Sequence, residues 1–149
     1  MLGEVRALLQ RVSEASVSVD GQVVGQIGPG LCVLIGVGGH DDQAAADRMA
    51  DKIWQIRLFP DEAGHMNRSA AELGLAVLVV SQFTLYADTS RGRRPSFVQA
   101  APPELARGLV ERVVSRLQAS GATVGTGRFG AMMQVRLVNE GPVTIMLEI

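Results

Sequence analysis

The sequence predicts an α+β (mixed α/β) fold: a largely antiparallel, barrel-like sheet with two main helices, in a single domain. Three observations lead there. Short apolar stretches with strand periodicity recur along the chain. Two longer stretches space their apolar residues as a helix does, and glycine, proline or asparagine marks most of the joints. At 149 residues the chain can build one core but hardly two ordinary domains. No internal repeat, low-complexity tract or linker interrupts it. With 47% of residues apolar and 19% charged, there is ample surface to bury against the entropy of ordering. Aromatics are only 4%, so Val, Leu, Ile, Ala and Met must fill the core.

Val5 to Val12 reads as a strand, and Val17 and Val19 alternate with Ser16 and Ser18 as a half-buried one. Asp20-Gly21 suits a type I′ hairpin turn, after which Gln22 to Ile27 returns as the partner. Gly28-Pro29-Gly30 breaks the chain, and Leu31 to Val37 is apolar enough for a central strand. Asp41 or Asp42 can cap a helix running to about Leu58, with Ala46, Met49, Ala50, Ile53 and Trp54 on its inner face. A loop around Gly64 to Arg68 follows, then a strongly apolar strand from Ala76 to Leu85. Pro102 and Pro103 open a second helix at its first turn. Its buried stripe is Leu105, Leu109, Val110, Val113, Val114 and Leu117, and Gly121 is a natural stop. Two strands, Met132 to Val138 and Val143 to Ile149, close the chain around Asn139-Glu140-Gly141-Pro142.

Composition narrows the function classes. The single cysteine, Cys32, excludes an internal disulfide framework and sits in an apolar run as a small hydrophobe. The early apolar run Ala7-Leu8-Leu9 is too short for a signal peptide or membrane span, so a cytoplasmic protein without membrane partners is expected. A net charge of −1 gives no global attraction to nucleic acid, and no DNA partner is expected. Any RNA contact must come from a local patch, for which Arg91-Gly92-Arg93-Arg94 is the candidate; a solvated basic loop would look the same. His40 and His65 stand beside loop residues without metal-ligand spacing, and no G-x-S-x-G elbow or P-loop glycine run appears. No metal or other cofactor is therefore expected. Such an inventory either binds without catalysing or catalyses through backbone groups and positioning.

Two segments break the local pattern. Ser81-Gln82-Phe83-Thr84-Leu85 puts polar side chains directly after an apolar run, either because the strand becomes half exposed or because it delivers groups to a site at its end. Asn139-Glu140-Gly141-Pro142-Val143-Thr144 reads as a plain turn, or as a rigid Gly-Pro pair that aims carbonyl oxygens unusually.

Together the segments SQFTL (81–85) and NEGPVT (139–144) resemble the paired signatures of the D-aminoacyl-tRNA deacylases, first called D-tyrosyl-tRNA deacylases. The similarity runs through the chain in order. It includes Gln10-Arg11-Val12, Ala15-Ser16-Val17, Gly36-Val37, Met66-Asn67, Ala87-Asp88-Thr89, Arg94-Pro95-Ser96-Phe97, Thr126-Gly127-Arg128-Phe129 and Met133. The one departure is a few extra residues at the N-terminus, Met1 to Glu4. The resemblance implies a homodimeric hydrolase that removes D-amino acids from tRNA, with an editing pocket at the subunit interface. Ser81, Gln82, Phe83 and Thr84 would line the pocket for the aminoacyl group and terminal adenosine. Gly141-Pro142 would be a cis pair reaching into the partner's pocket, with Met133 and Asn139 near it. The Thr84 hydroxyl is the only side chain there that resembles a nucleophile, and no general base lies near it in sequence. Covalent catalysis by Thr84 thus competes with hydrolysis by positioned water, backbone donors and the substrate's own ribose hydroxyl. Two other readings compete with the whole assignment: a tRNA-binding module without activity, and an esterase for small molecules on the same fold.

Overall fold

One long strand organises the molecule. In the computed structural model, which describes residues 4–149, β1 (Arg6–Val19) pairs on one edge with two different strands. Its C-terminal half meets β2 (Gln22–Ile27), and its N-terminal half meets β3 (Gly30–Gly36), both antiparallel. The β1–β2 joint is the expected tight turn: Asp20 and Gly21 both have positive φ, 51° and 78°, as a type I′ turn requires. Of the extra N-terminal residues Met1 to Glu4, the first three lie outside the described residues.

After β3 the chain crosses over through α1 (Gln43–Gln55), a hairpin of β4 (Arg57–Pro60) and β5 (Met66–Ser69), and the single turn α2 (Ala70–Leu73). It re-enters the sheet as β6 (Ala76–Ser81), parallel to β3. A 3₁₀ turn (Phe83–Tyr86) follows, then α3 (Pro103–Ala119), and β7 (Val124–Thr126) joins β6 in parallel. The last strand, β8 (Gln134–Glu148), pairs antiparallel along the free edge of β1. The sheet is therefore mixed, with two parallel joints made by helical crossovers. It curls until its ends nearly meet: a Cβ on Gly25 of β2 would collide with the carbonyl of Thr126 on β7.

Both helices cover one face of the sheet, burying Met49, Ile53 and Trp54 of α1 and Leu109, Val113 and Leu117 of α3 against Leu9, Val33, Ile35 and Val79. The inside of the curl holds a second cluster built on Val12, Ala15, Val17, Cys32, Leu78 and Val80. Burial removes water from the Cys32 thiol and pushes its pKa up to about 11, consistent with an inert packing residue.

Of the two caps the sequence offers, Asp42 serves α1, accepting from the Ala45 N–H at 2.9 Å. Three other expectations differ from the structure. That helix stops at Gln55 rather than Leu58, because Leu58 and Phe59 are buried from an extended hairpin strand. The loop expected at Gly64 to Arg68 is largely β5 and its tight turn, in which Asp61 accepts from the N–H groups of Ala63 and His65. The strand expected to reach Leu85 ends at Ser81; a 3₁₀ turn then carries Tyr86 inward until it is 3% exposed.

A fourth difference bears on function. The two C-terminal strands are one strand, because both halves stay antiparallel to the same edge of β1. Gln10 opposes Thr144 and Val12 opposes Asn139, so Arg11 alone faces the segment Glu140–Val143. The surplus residues bulge out of the ladder without reversing the chain.

Candidate active site

The first motif sits at the C-terminal end of β6. Gln82 donates its N–H to the Ile35 carbonyl at 2.6 Å, the last rung before the chain leaves the sheet. The Leu85 N–H then bonds to the Gln82 carbonyl at 3.2 Å, closing the 3₁₀ turn. A helical start leaves its first donors free. Among the described residues the N–H groups of Phe83 and Thr84 have no backbone acceptor. Phe83 is exposed and meets Phe97 edge-on, with centroids 5.0 Å apart. The Gln82 side-chain amide donates to the Thr84 hydroxyl oxygen. An amide is no general base, so this contact orients Thr84 without activating it.

A set of residues that sequence reasoning passed over holds this turn. Arg6 donates to the Leu85 carbonyl at 3.0 Å, and its guanidinium lies 4.4 Å from the centroid of Tyr86. Asp41 accepts from the Gly38 N–H at 2.5 Å and from the Tyr86 hydroxyl at 3.4 Å. Burial holds the Asp41 carboxyl above its usual range, partly offset by these two donors, and burial beside that carboxylate also raises the Tyr86 phenol. Gly36 and Gly38 make room: a Cβ on Gly36 would lie 3.1 Å from the Gln82 carbonyl, and one on Gly38 2.9 Å from the Tyr86 hydroxyl. Gly36 had a sequence signal through the family-like strand end, and Asp41 had one only as a candidate helix cap.

Ser81 opens into a cavity of about 510 Å³ between α3 and the β6–β7 edge, lined also by Thr126, Gly127, Phe129 and Glu111. Met133 belongs here, since its sulfur accepts from the Arg128 N–H at 3.4 Å and blocks any Cβ on Gly127. Arg107 of α3 places its guanidinium 5.2 Å from the centroid of Phe129.

The second motif is the bulge of β8. Its Gly141–Pro142 peptide bond is cis, Gly141 has φ 136°, and both residues are exposed. Two side chains fix the bulge. Arg11 donates through Nε to the Glu140 carbonyl at 3.0 Å and through Nη1 to the Leu58 carbonyl at 2.8 Å. Asn139 bridges the base, accepting from the Val143 N–H at 2.9 Å and donating to the Thr144 hydroxyl at 3.0 Å.

Within one chain the two motifs do not meet. β3 and β1 lie between β6 and β8, and the registers set Ser81 level with Leu147 while the bulge is level with Val77, so the motifs are separated both across and along the sheet. Ser81, Gln82, Phe83, Thr84 and Met133 form one group; Asn139, Gly141 and Pro142 form another. Met133 lies against Gly127 and Arg128, which line the cavity that Ser81 enters. Arg91, Arg93 and Arg94 are exposed on the loop after the 3₁₀ turn, and His40 and His65 are exposed as well. Among the described residues no cluster of three or more His, Cys, Asp or Glu side chains could hold a metal ion, and no helix is long and apolar enough to cross a membrane.

Comparison with known proteins gives one consistent result. The family model described as D-Tyr-tRNA(Tyr) deacylase matches residues 8–148. The D-aminoacyl-tRNA deacylase of Roseiflexus castenholzii is 60% identical over 144 residues, covering 97% of this chain and 92% of the relative. That of Symbiobacterium thermophilum is 59% identical, covering 97% and 95%. Among solved structures, a c-Myc DNA Unwinding Element Binding Protein superposes with a TM-score of 0.90 at 40% identity, covering 95% of this chain and 97% of that one. A probable eukaryotic D-amino acid tRNA deacylase shares the fold at 19% identity, with a TM-score of 0.87 and coverage of 98% and 100%.

Proposed function

Because the chain belongs to the D-Tyr-tRNA(Tyr) deacylase family, we propose that it hydrolyses the ester linking D-amino acids to tRNA, as a homodimer in cytoplasmic translation quality control. The observation that carries this reading is a site made of backbone groups in two pieces: the open N–H pair of Phe83 and Thr84, and the pinned bulge at Gly141. Water attacks the ester carbonyl and the oxyanion is held by the N–H pair. Collapse of the oxyanion re-forms the carbonyl and breaks the bond to the ribose oxygen, which takes the proton given up by the attacking water, and the free amino acid departs. An aminoacyl ester is already activated, so positioning and oxyanion donors supply most of the acceleration. Thr84 binds substrate rather than attacking it, since its oxygen receives an amide donor and meets no base.

The second piece comes from a second copy. β8 is an edge strand that leaves Val135, Val138 and Met146 exposed, and the Gly141-Pro142 bulge stands out from it. In the partner's pocket the Gly141 carbonyl accepts a hydrogen on the substrate's α-carbon and collides with a side chain there. A 10⁴-fold rejection of L-substrates needs about 5.5 kcal/mol. A steric clash supplies that more readily than one hydrogen bond, worth about 1 kcal/mol net. Glycine carries hydrogen in both positions, so glycyl-tRNA escapes rejection.

Single-turnover deacylation of D-alanyl-, glycyl- and L-alanyl-tRNA tests this reading. The first two should be hydrolysed and the third spared; glycine behaving like L-alanine refutes the wedge, and no release from any refutes the activity. The last outcome would favour nucleic-acid binding without hydrolysis, the property for which the c-Myc DNA Unwinding Element Binding Protein is named.

A further inference from the structure

An aromatic pair and an arginine loop lie side by side next to the ester site. Phe83 is 54% exposed, and its ring meets that of Phe97 at 5.0 Å and 71°. Phe97 returns to that position because Asp88 and Ser96 exchange two backbone hydrogen bonds, 2.8 and 2.9 Å, closing the loop between them. Arg91, Arg93 and Arg94 project from the closed loop, and none forms a salt bridge among the described residues. The loop's one acid, Asp88, is occupied by the Ser90 N–H and hydroxyl, at 2.9 and 2.6 Å. Three arginines against one aspartate make this a basic surface on a chain of net charge −1. Val98 beside it is 86% exposed.

An exposed Phe83 ring backed by the half-buried Phe97, beside unpaired arginines, offers what an unstacked polynucleotide needs: π-surface for bases and cations for phosphates. A duplex keeps its bases stacked and cannot use the rings. We propose that Phe83, Phe97 and Arg91, Arg93 and Arg94 form a platform for the unpaired nucleotides just before the terminal adenosine of the tRNA. This rests on the deacylase reading, because Phe83 adjoins Thr84 and so places its ring beside the proposed ester site.

The test compares a D-aminoacyl-tRNA with the same amino acid esterified to adenosine alone. Phe97→Ala should lower kcat/KM on the tRNA by roughly 5- to 150-fold, chiefly through KM, and leave the aminoacyl-adenosine within about twofold. Phe97→Trp should restore the tRNA reaction. Arg93→Ala, Arg94→Ala should flatten the salt dependence on tRNA by about 1.4 logarithmic slope units. Equal loss on both substrates would make Phe97 a wall of the ester pocket, and no loss on tRNA would remove it from recognition; either overturns the platform. If the wild type hydrolyses neither ester, the deacylase reading fails by itself. Binding of an uncharged CCA-ended RNA oligonucleotide, wild type against Phe97→Ala, then decides the platform, with equal affinity overturning it.

Discussion

Arg11 does for the second motif what Arg6 does for the first: each spends a guanidinium on a carbonyl of the segment it steadies. Arg11 is the only β1 residue facing the bulge, and its two bonds tie Glu140 to Leu58. A hydrogen bond to a charged group is worth about 1.5–3 kcal/mol. Arg11→Met should therefore let Gly141 wander and erode discrimination between D- and L-alanyl-tRNA by roughly 10- to 100-fold. The ratio of the two single-turnover rates measures this; a preserved ratio in a folded variant would mean the bulge holds itself. Gly36 offers the matching test at the first motif. A Cβ there would lie 3.1 Å from both the Gln82 carbonyl and the Leu85 Cβ, in a turn already tied to Ile35. Gly36→Ala should displace the Phe83–Thr84 donors and cut kcat at least about tenfold, with overpacking costing about 1–3 kcal/mol of stability. Wild-type kcat from a folded Gly36→Ala protein would show that the turn does not set the donors.

At the scale of elements, α1 and α3 are clasped by carboxylate–arginine pairs. Arg112 reaches both oxygens of Asp47 at 2.8 and 3.0 Å, and Arg116 both oxygens of Asp51 at 2.9 Å. Hydrogen bonding to Arg112 and Arg116 holds these two carboxyls below their ordinary range. A carboxyl with a depressed folded pKa contributes stability above its unfolded pKa, near 3.9, and loses it as pH falls through the folded value. An Asp47→Asn, Asp51→Asn variant should thus melt below the wild type near neutrality and converge with it as pH drops below about 4. Melting temperatures between pH 2.5 and 7 would show it, and a difference independent of pH would rule the linkage out. Buried Asp41 opposes this trend, because its raised pKa favours the fold at lower pH. These clasping pairs lie about 65 residues apart in the chain, so no local pattern announces them. The same holds for β7, three residues long and defined only by docking on β6, and for β4, whose Leu58 extends the helical spacing of α1. By contrast, the turn at Asp20-Gly21 and the stop at Gly121 were legible because each needs a positive φ, which Gly21 and Gly121 supply.

For the whole molecule, the central fact is that the two motifs stand on strands separated by β1 and β3. Their residues were legible in the sequence because both departed from strand periodicity. Their separation was not, because it depends on both halves of β8 staying on one edge of β1, which only the register Gln10–Thr144 and Val12–Asn139 reveals. The contacts that Arg6, Asp41 and Phe97 make with the turn were illegible because each reaches a segment it does not adjoin in the chain. If both motifs serve one reaction, the site is completed in trans, and complementation can test that. A dimer of Gly141→Val chains keeps both Phe83–Thr84 turns and loses both wedges, while a dimer of chains altered at Gln82 does the reverse. Free exchange makes half of all dimers hybrid, and each hybrid holds one site with both parts intact, so the mixture should regain about a quarter of the wild-type sites. A pocket completed within each chain would leave every site in the hybrid with one defect. Selective D-alanyl-tRNA deacylation by the mixture is the readout, with exchange followed by differently tagged chains. Hybrid dimers that form and stay inactive would place both motifs' work within a single subunit.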